Sequence, residues 1–168
     1  MGADPIHPLI PDLRYPERLA RAQKLLPERG VSAMLVGVGA DLRYLTGYQA
    51  TPLERLTMLV MPAQGELKLV APRLEAMAAA ACPAARLGDL RVVAWDETDD
   101  THGLVGSLLA DALGRPAGAR GGVAADDHVL ISDRLWAMHV LGLQRAMPHV
   151  SFGLSSLVLS GLRMVKDQ

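Results

Sequence analysis

The chain has 168 residues, a formal net charge of -1 and a 50% share of hydrophobic residues. That length buries a core in one domain without covalent staples, and the charge balance excludes the basic surface of a nucleic-acid binder or of a protein held on an anionic membrane. One cysteine, Cys82, excludes an internal disulfide and a thiolate metal site, so a cytoplasmic location is expected.

The opening stretch MGADPIHPLIPDLRYP carries no basic segment leading into an apolar one, so it does not read as a signal peptide. No window approaches the ~20 apolar residues that a bilayer span requires. Residues 1–14, with Pro5, Pro8 and Pro11, read as an extended arm. A helix is expected from Tyr15-Pro16-Glu17, with Leu19, Ala22 and Leu26 on one face. Pro27 should kink or stop it, and Gly30 marks its end.

Val31 to Val38 is an almost continuous apolar run, the pattern of a strand buried on both faces. A single helical turn follows around Asp41 to Leu45, then a loop from Thr46 to Arg55. Leu56–Met61 and Leu67–Ala71 form a hairpin across a loop of Pro62 to Glu66. Pro72 opens a helix with Leu74, Met77, Ala78 and Ala81 as its apolar stripe, ended by Pro83. Leu90–Trp95 is a fourth strand. Thr101 caps a helix that Gly114 closes. Val123-Ala124 reads as a short strand, Ser132 as the cap of a helix to about Ala146, and Ser155–Leu162 as a final helix or turn. Strands alternating with helices, one pair of them a hairpin, predict an α/β fold with a mixed sheet flanked by helices.

The glycines of Gly37-Val38-Gly39 follow a strand, as in a phosphate cradle. The dinucleotide fingerprint then needs a third glycine where Leu42 stands, and no Gly-Lys-Ser/Thr is present. Tight turning of the backbone is the simpler reading. Of five histidines, His7, His102, His128, His139 and His149, no two lie within five residues of each other, so no helical metal pair is spelled out. Asp96-Glu97-Thr98-Asp99-Asp100 and Asp126-Asp127-His128 read as solvated turns rather than ligand sets. No G-x-S-x-G elbow occurs, and Ser155-Ser156 has no acid or base partner close in sequence. Cys82, Trp95 and Trp136 read as packing residues. On these grounds no catalytic residues and no metal ligands are assigned.

Three segments share a pattern: Glu28-Arg29-Gly30-Val31 closing a helix, the strand Ala33-Met34-Leu35-Val36, and Asp41-Leu42-Arg43-Tyr44-Leu45-Thr46-Gly47-Tyr48. Together with the hairpin, Ala71-Pro72-Arg73-Leu74-Glu75, and Leu162-Arg163-Met164-Val165-Lys166-Asp167, this resembles the N-terminal domain of the creatinase/prolidase family. These are Xaa-Pro peptidases and their pita-bread metallopeptidase relatives. Tyr48 stands where the family's phrase has Phe, and Pro27 departs from the usual first helix.

The resemblance implies a ribonuclease-H-like mixed sheet with helices. It places the domain at 15–162, and residues 163–168, with Arg163 and Lys166 of the junction motif, at the start of a linker to a C-terminal catalytic domain. Divalent metal (Mn, Co or Zn), the catalytic histidine and the carboxylates would belong to that domain, and this one would serve homodimer assembly and substrate selection. Tyr44, Leu45, Thr46 and Gly47 would be structural. Tyr48, Glu54 and Arg55 would lie in a loop shaping the partner subunit's active site. The alternatives are a free-standing binding or assembly module of the same fold, and a small-molecule-binding α/β protein using the Gly37-Val38-Gly39 turn.

Overall fold

The computed structural model describes residues 14–115 and 126–164. The first element, α1 (Arg14–Glu28), buries Leu19, Ala22 and Leu26, the stripe that the spacing predicts. Pro27 does not stop the helix at Leu26; it sits in the last turn, and the chain leaves at Gly30, which has φ +66°. β1 (Ala33–Gly37) is buried at every position. A short α2 (Ala40–Thr46) and an irregular loop lead to the hairpin of β2 (Met58–Pro62) and β3 (Leu67–Pro72).

The Pro72 segment departs from the expected helix. Pro72 closes β3, Arg73–Glu75 is a 3-10 turn, and the helical stretch splits into α3 (Ala76–Ala80) and α4 (Pro83–Arg86). Pro83 thus starts a helix, where its missing N–H is tolerated. The stripe moves with the break: Leu74 and Met77 are 79% and 86% exposed, while Ala79, Cys82 and Ala84 are buried.

β4 (Leu90–Trp95) precedes α5 (Thr101–Ala112), whose cap is Asp100 rather than Thr101. The Asp100 carboxylate accepts from the Gly103 N–H at 3.0 Å. The strand expected at Val123-Ala124 lies outside the described residues. β5 is His128–Ile131, so His128 opens a strand rather than ending a turn. Ser132 does not cap the next helix; its Oγ accepts from the Gly37 N–H at 2.9 Å, and α6 (Ala137–Ala146) begins five residues later. A further strand, β6 (Ser151–Leu154), and α7 (Ser156–Met164) complete the described chain.

The six strands lie in the order β4-β3-β2-β1-β5-β6. β2 is antiparallel to both β1 and β3, and the other neighbours are parallel, so the sheet is mixed. Alternate residues of each strand point to opposite faces. On one face Met34, Val36, Leu59, Met61 and Leu69 pack with Leu19 and Leu26 of α1, Leu42 and Leu45 of α2, and Val158, Leu159 and Leu162 of α7. On the other, Ala33, Leu35, Met58, Val60, Val129 and Trp95 pack with Val105 and Leu109 of α5 and Leu143 of α6. Both faces of the sheet are therefore covered, which is why β1 reads as an unbroken apolar run.

Candidate functional site

The Tyr44-Leu45-Thr46-Gly47-Tyr48 phrase is the end of α2 and the turn leaving it. Thr46 is fully buried. Its hydroxyl donates to the Leu42 carbonyl at 2.7 Å and accepts from the Tyr48 N–H at 3.1 Å, so one side chain fastens both the helix and the chain leaving it. Gly47 has φ +74°, and its N–H returns to the Arg43 carbonyl at 2.8 Å. A Cβ at Gly47 would sit 2.7 Å from Cγ and Cδ of Pro83 and 3.0 Å from the Tyr15 ring. Only glycine meets both demands.

Tyr48 is turned inward, 7% exposed, and its hydroxyl donates to Glu75 Oε2 at 3.4 Å. Burial, with the nearby Glu75 carboxylate, pushes the phenol up to about 12, so it stays protonated across the physiological range. Glu54 is exposed. Arg55 does not pair with its neighbour Glu54 but with Glu97, beyond β4, at 2.8 Å. Tyr48 and Arg55 therefore anchor the two ends of the loop to different parts of the fold.

On the outer side of α2, Arg18 of α1 lies over the Tyr44 ring with its guanidinium carbon 4.4 Å from the centroid, and 5.5 Å from that of Tyr15. Its Nη1 donates to the Tyr44 carbonyl at 3.2 Å. These residues and the start of the loop line an open cleft of about 570 Å³, with Arg43, Tyr48, Gln49 and Pro52 on its walls. A second cleft of about 370 Å³ lies between Gly39, Asp41, Asp133, Ser156 and Arg163. Two of its lining residues, Arg163 and Asp41, form an ion pair at 2.9 Å, and the Tyr44 hydroxyl donates to the Leu162 carbonyl at 3.3 Å. The two ends of the motif pattern, at Asp41-Tyr44 and at Leu162-Arg163, are thus in direct contact. Lys166 lies outside the described residues.

Within the Asp96 to Asp100 stretch, Asp96 forms a two-pronged pair with Arg73, and Asp99 accepts from the Asp96 N–H at 2.7 Å. Asp127 pairs with Arg115 at 2.8 Å, and His128 contacts the Ser151 hydroxyl at 2.9 Å. Cys82 is buried, and burial pushes its thiol above the ordinary value. Trp95 is a core residue whose indole donates to the Leu56 carbonyl, but Trp136, expected in the core, is 46% exposed. Sequence spacing did not anticipate one cluster: His102 and His139, on different helices, meet at 3.2 Å. Among the described residues, no group of three or more His, Cys, Asp or Glu is placed to hold a metal ion, and no helix is long and apolar enough to cross a membrane.

The mixed sheet, the buried turn and the joined motif ends define an α/β domain with helices on both faces of its sheet. The family model for the Creatinase/Prolidase N-terminal domain matches residues 18–165, and the chain belongs to that family. It is 38% identical over 154 residues to the probable dipeptidase PepE of Mycobacterium tuberculosis, and equally to that of Mycobacterium bovis. That match takes in 92% of this chain and 37% of each relative, so the chain spans little more than a third of their length. The crystal structure of dipeptidase PepE from Mycobacterium ulcerans superposes with a TM-score of 0.79 at 35% identity, over 94% of this chain and 38% of that one. The N-terminal domain of a Xaa-Pro dipeptidase from Lactobacillus brevis shares the fold, with a TM-score of 0.68 at 19% identity over 85% of this chain and 98% of that one.

Proposed function

We propose that this chain is the non-catalytic N-terminal domain of a longer, metal-dependent dipeptidase that cleaves Xaa-Pro bonds. Hydrolysis then belongs to a C-terminal domain carrying Mn, Co or Zn. The observation that carries this reading is the family match over 18–165 joined to dipeptidase relatives of which the chain spans 37%. The described residues offer no ligand set for such an ion, so no chemical step is assigned to them. Their work is positional. The loop from Tyr48 to Arg55 is pinned at one end by Thr46 and Glu75 and at the other by Glu97. Between these pins Gln49 and Pro52 face the cleft. A loop held in this manner suits selection of substrate at the active site of a partner subunit, with this domain contributing to the dimer.

The test compares two proteins. The 168-residue chain, supplied with Mn, Co or Zn, should not hydrolyse a Xaa-Pro dipeptide. The same chain continued into a metal-ligand domain should hydrolyse it. Turnover by the pure short chain would refute the assignment, as would a gene that ends at Gln168.

A further inference from the structure

His102 and His139 lie where α5 packs on α6. His102 Nε2 and His139 Nδ1 are 3.2 Å apart, with ring centroids 5.4 Å apart and planes inclined at 46°. The His102 ring rests against Gly142 of α6, where any Cβ would come within 2.6 Å of it, so packing leaves the ring little choice of position. His139 is only 6% exposed, and its ring is stacked with that of Trp136 at 6.4 Å and 21°. His139 and Trp136 in turn share a small cavity with Leu53, Arg55 and Arg134. His139 and its stacked indole thus border the same cavity as the far end of the Tyr48–Arg55 loop.

The chemistry of two facing imidazoles is asymmetric in proton number. In the neutral pair one ring nitrogen donates and the other accepts. One added proton preserves the contact, because an imidazolium still donates to a neutral partner. A second proton leaves two donors and two positive charges face to face. The surrounding charges are mixed. Asp100 at the start of α5 favours the charged form of His102, while Arg145 of α6 opposes it. Arg134 and Arg55, the latter paired with Glu97, line the cavity that His139 reaches. Burial holds both imidazoles below their ordinary value, and for His139 the proximity of His102 adds to it. At this separation a charge on one ring disfavours a charge on the other.

We propose that the His102–His139 contact is an acid-released clasp. At neutral pH it holds Trp136, and through their shared cavity the Leu53–Arg55 end of the loop, in one arrangement. Double protonation parts α5 from α6 locally and frees the indole and the loop end. The inference concerns the same loop as the proposed function but does not depend on what that loop selects.

The chain carries only two indoles, which gives the experiment its own control. Because an isolated N-terminal domain of this fold has been solved in a relative, the 168-residue chain is a suitable sample. The two indole N–H resonances of 15N-labelled chain are followed from about pH 8 to pH 5. The Trp136 resonance should shift with a midpoint below the ordinary imidazole value, while the Trp95 resonance, bonded to the Leu56 carbonyl, stays in place. In His102→Phe, which keeps a ring against Gly142 but leaves a single imidazole unable to form the doubly charged pair, the acid-induced shift of Trp136 should shrink markedly. An unmoved Trp136 resonance in the wild type, an undiminished shift in the variant, or simultaneous collapse of both resonances would each overturn the clasp.

Discussion

Replacing Gly47 by alanine tests why the Tyr-Leu-Thr-Gly turn has its sequence. The substitution is penalised twice. At φ +74° the new Cβ meets the following carbonyl, a conflict of about 1–2 kcal/mol for an L-residue. It would also lie 2.7 Å from two ring carbons of Pro83. A pyrrolidine ring at the start of α4 has no rotamer to yield, so the packing conflict adds roughly 1–3 kcal/mol. The sum is ~2–5 kcal/mol. Gly30→Ala separates the two contributions, because Gly30 has a similar φ of +66° but nothing within 4 Å of its Cβ position. Urea unfolding of both variants, read as a change in midpoint at constant slope, should show Gly47→Ala losing clearly more than Gly30→Ala. Equal losses would refute the packing argument and leave only backbone conformation.

Three further outcomes follow from named contacts. Thr46→Val keeps the shape of the buried side chain but deprives the Tyr48 N–H of its acceptor, and should cost about 1–3 kcal/mol in urea unfolding. Arg55→Ala removes a half-exposed ion pair with Glu97, so stability should change by no more than ~1 kcal/mol, while in the proposed longer enzyme the Michaelis constant for Xaa-Pro dipeptides should change; unaltered kinetics would refute the proposed selecting role of Arg55. His102 and His139 both have folded-state values below the ordinary 6.5, so between those values and 6.5 the unfolded chain binds more protons. Their contribution to stability is complete above about 6.5 and lost as pH falls through the folded values; the urea midpoint should therefore drop more steeply with acid in the wild type than in His102→Phe/His139→Phe.

The elements written in the sequence are those whose burial is complete or whose caps are local. β1 reads correctly because both faces of the sheet are covered by helices, leaving no polar alternation to disguise it. The stripe of α1 and the glycine exits at Gly30 and Gly47 are likewise local signals. Residues 128–131 and 151–154 are only four long, too short to show a period of two. They become strands because parallel pairing aligns Ala33 with Val129 and His128 with Ser151. Ser132 looked like a cap since serine ahead of an apolar helix usually is one. Its hydroxyl instead serves the Gly37 N–H on the neighbouring strand, a partner 95 positions away.

The family, the mixed α/β architecture and the role of Gly47 as a turn residue were legible in the sequence alone, because each is spelled in short segments that can be read one at a time. The meeting of Arg163 with Asp41, of Arg55 with Glu97 and of His102 with His139 was decided only by the tertiary structure. These contacts depend on how helices seat against two sides of one sheet, and no interval along a single segment encodes the distance between side chains carried by different elements.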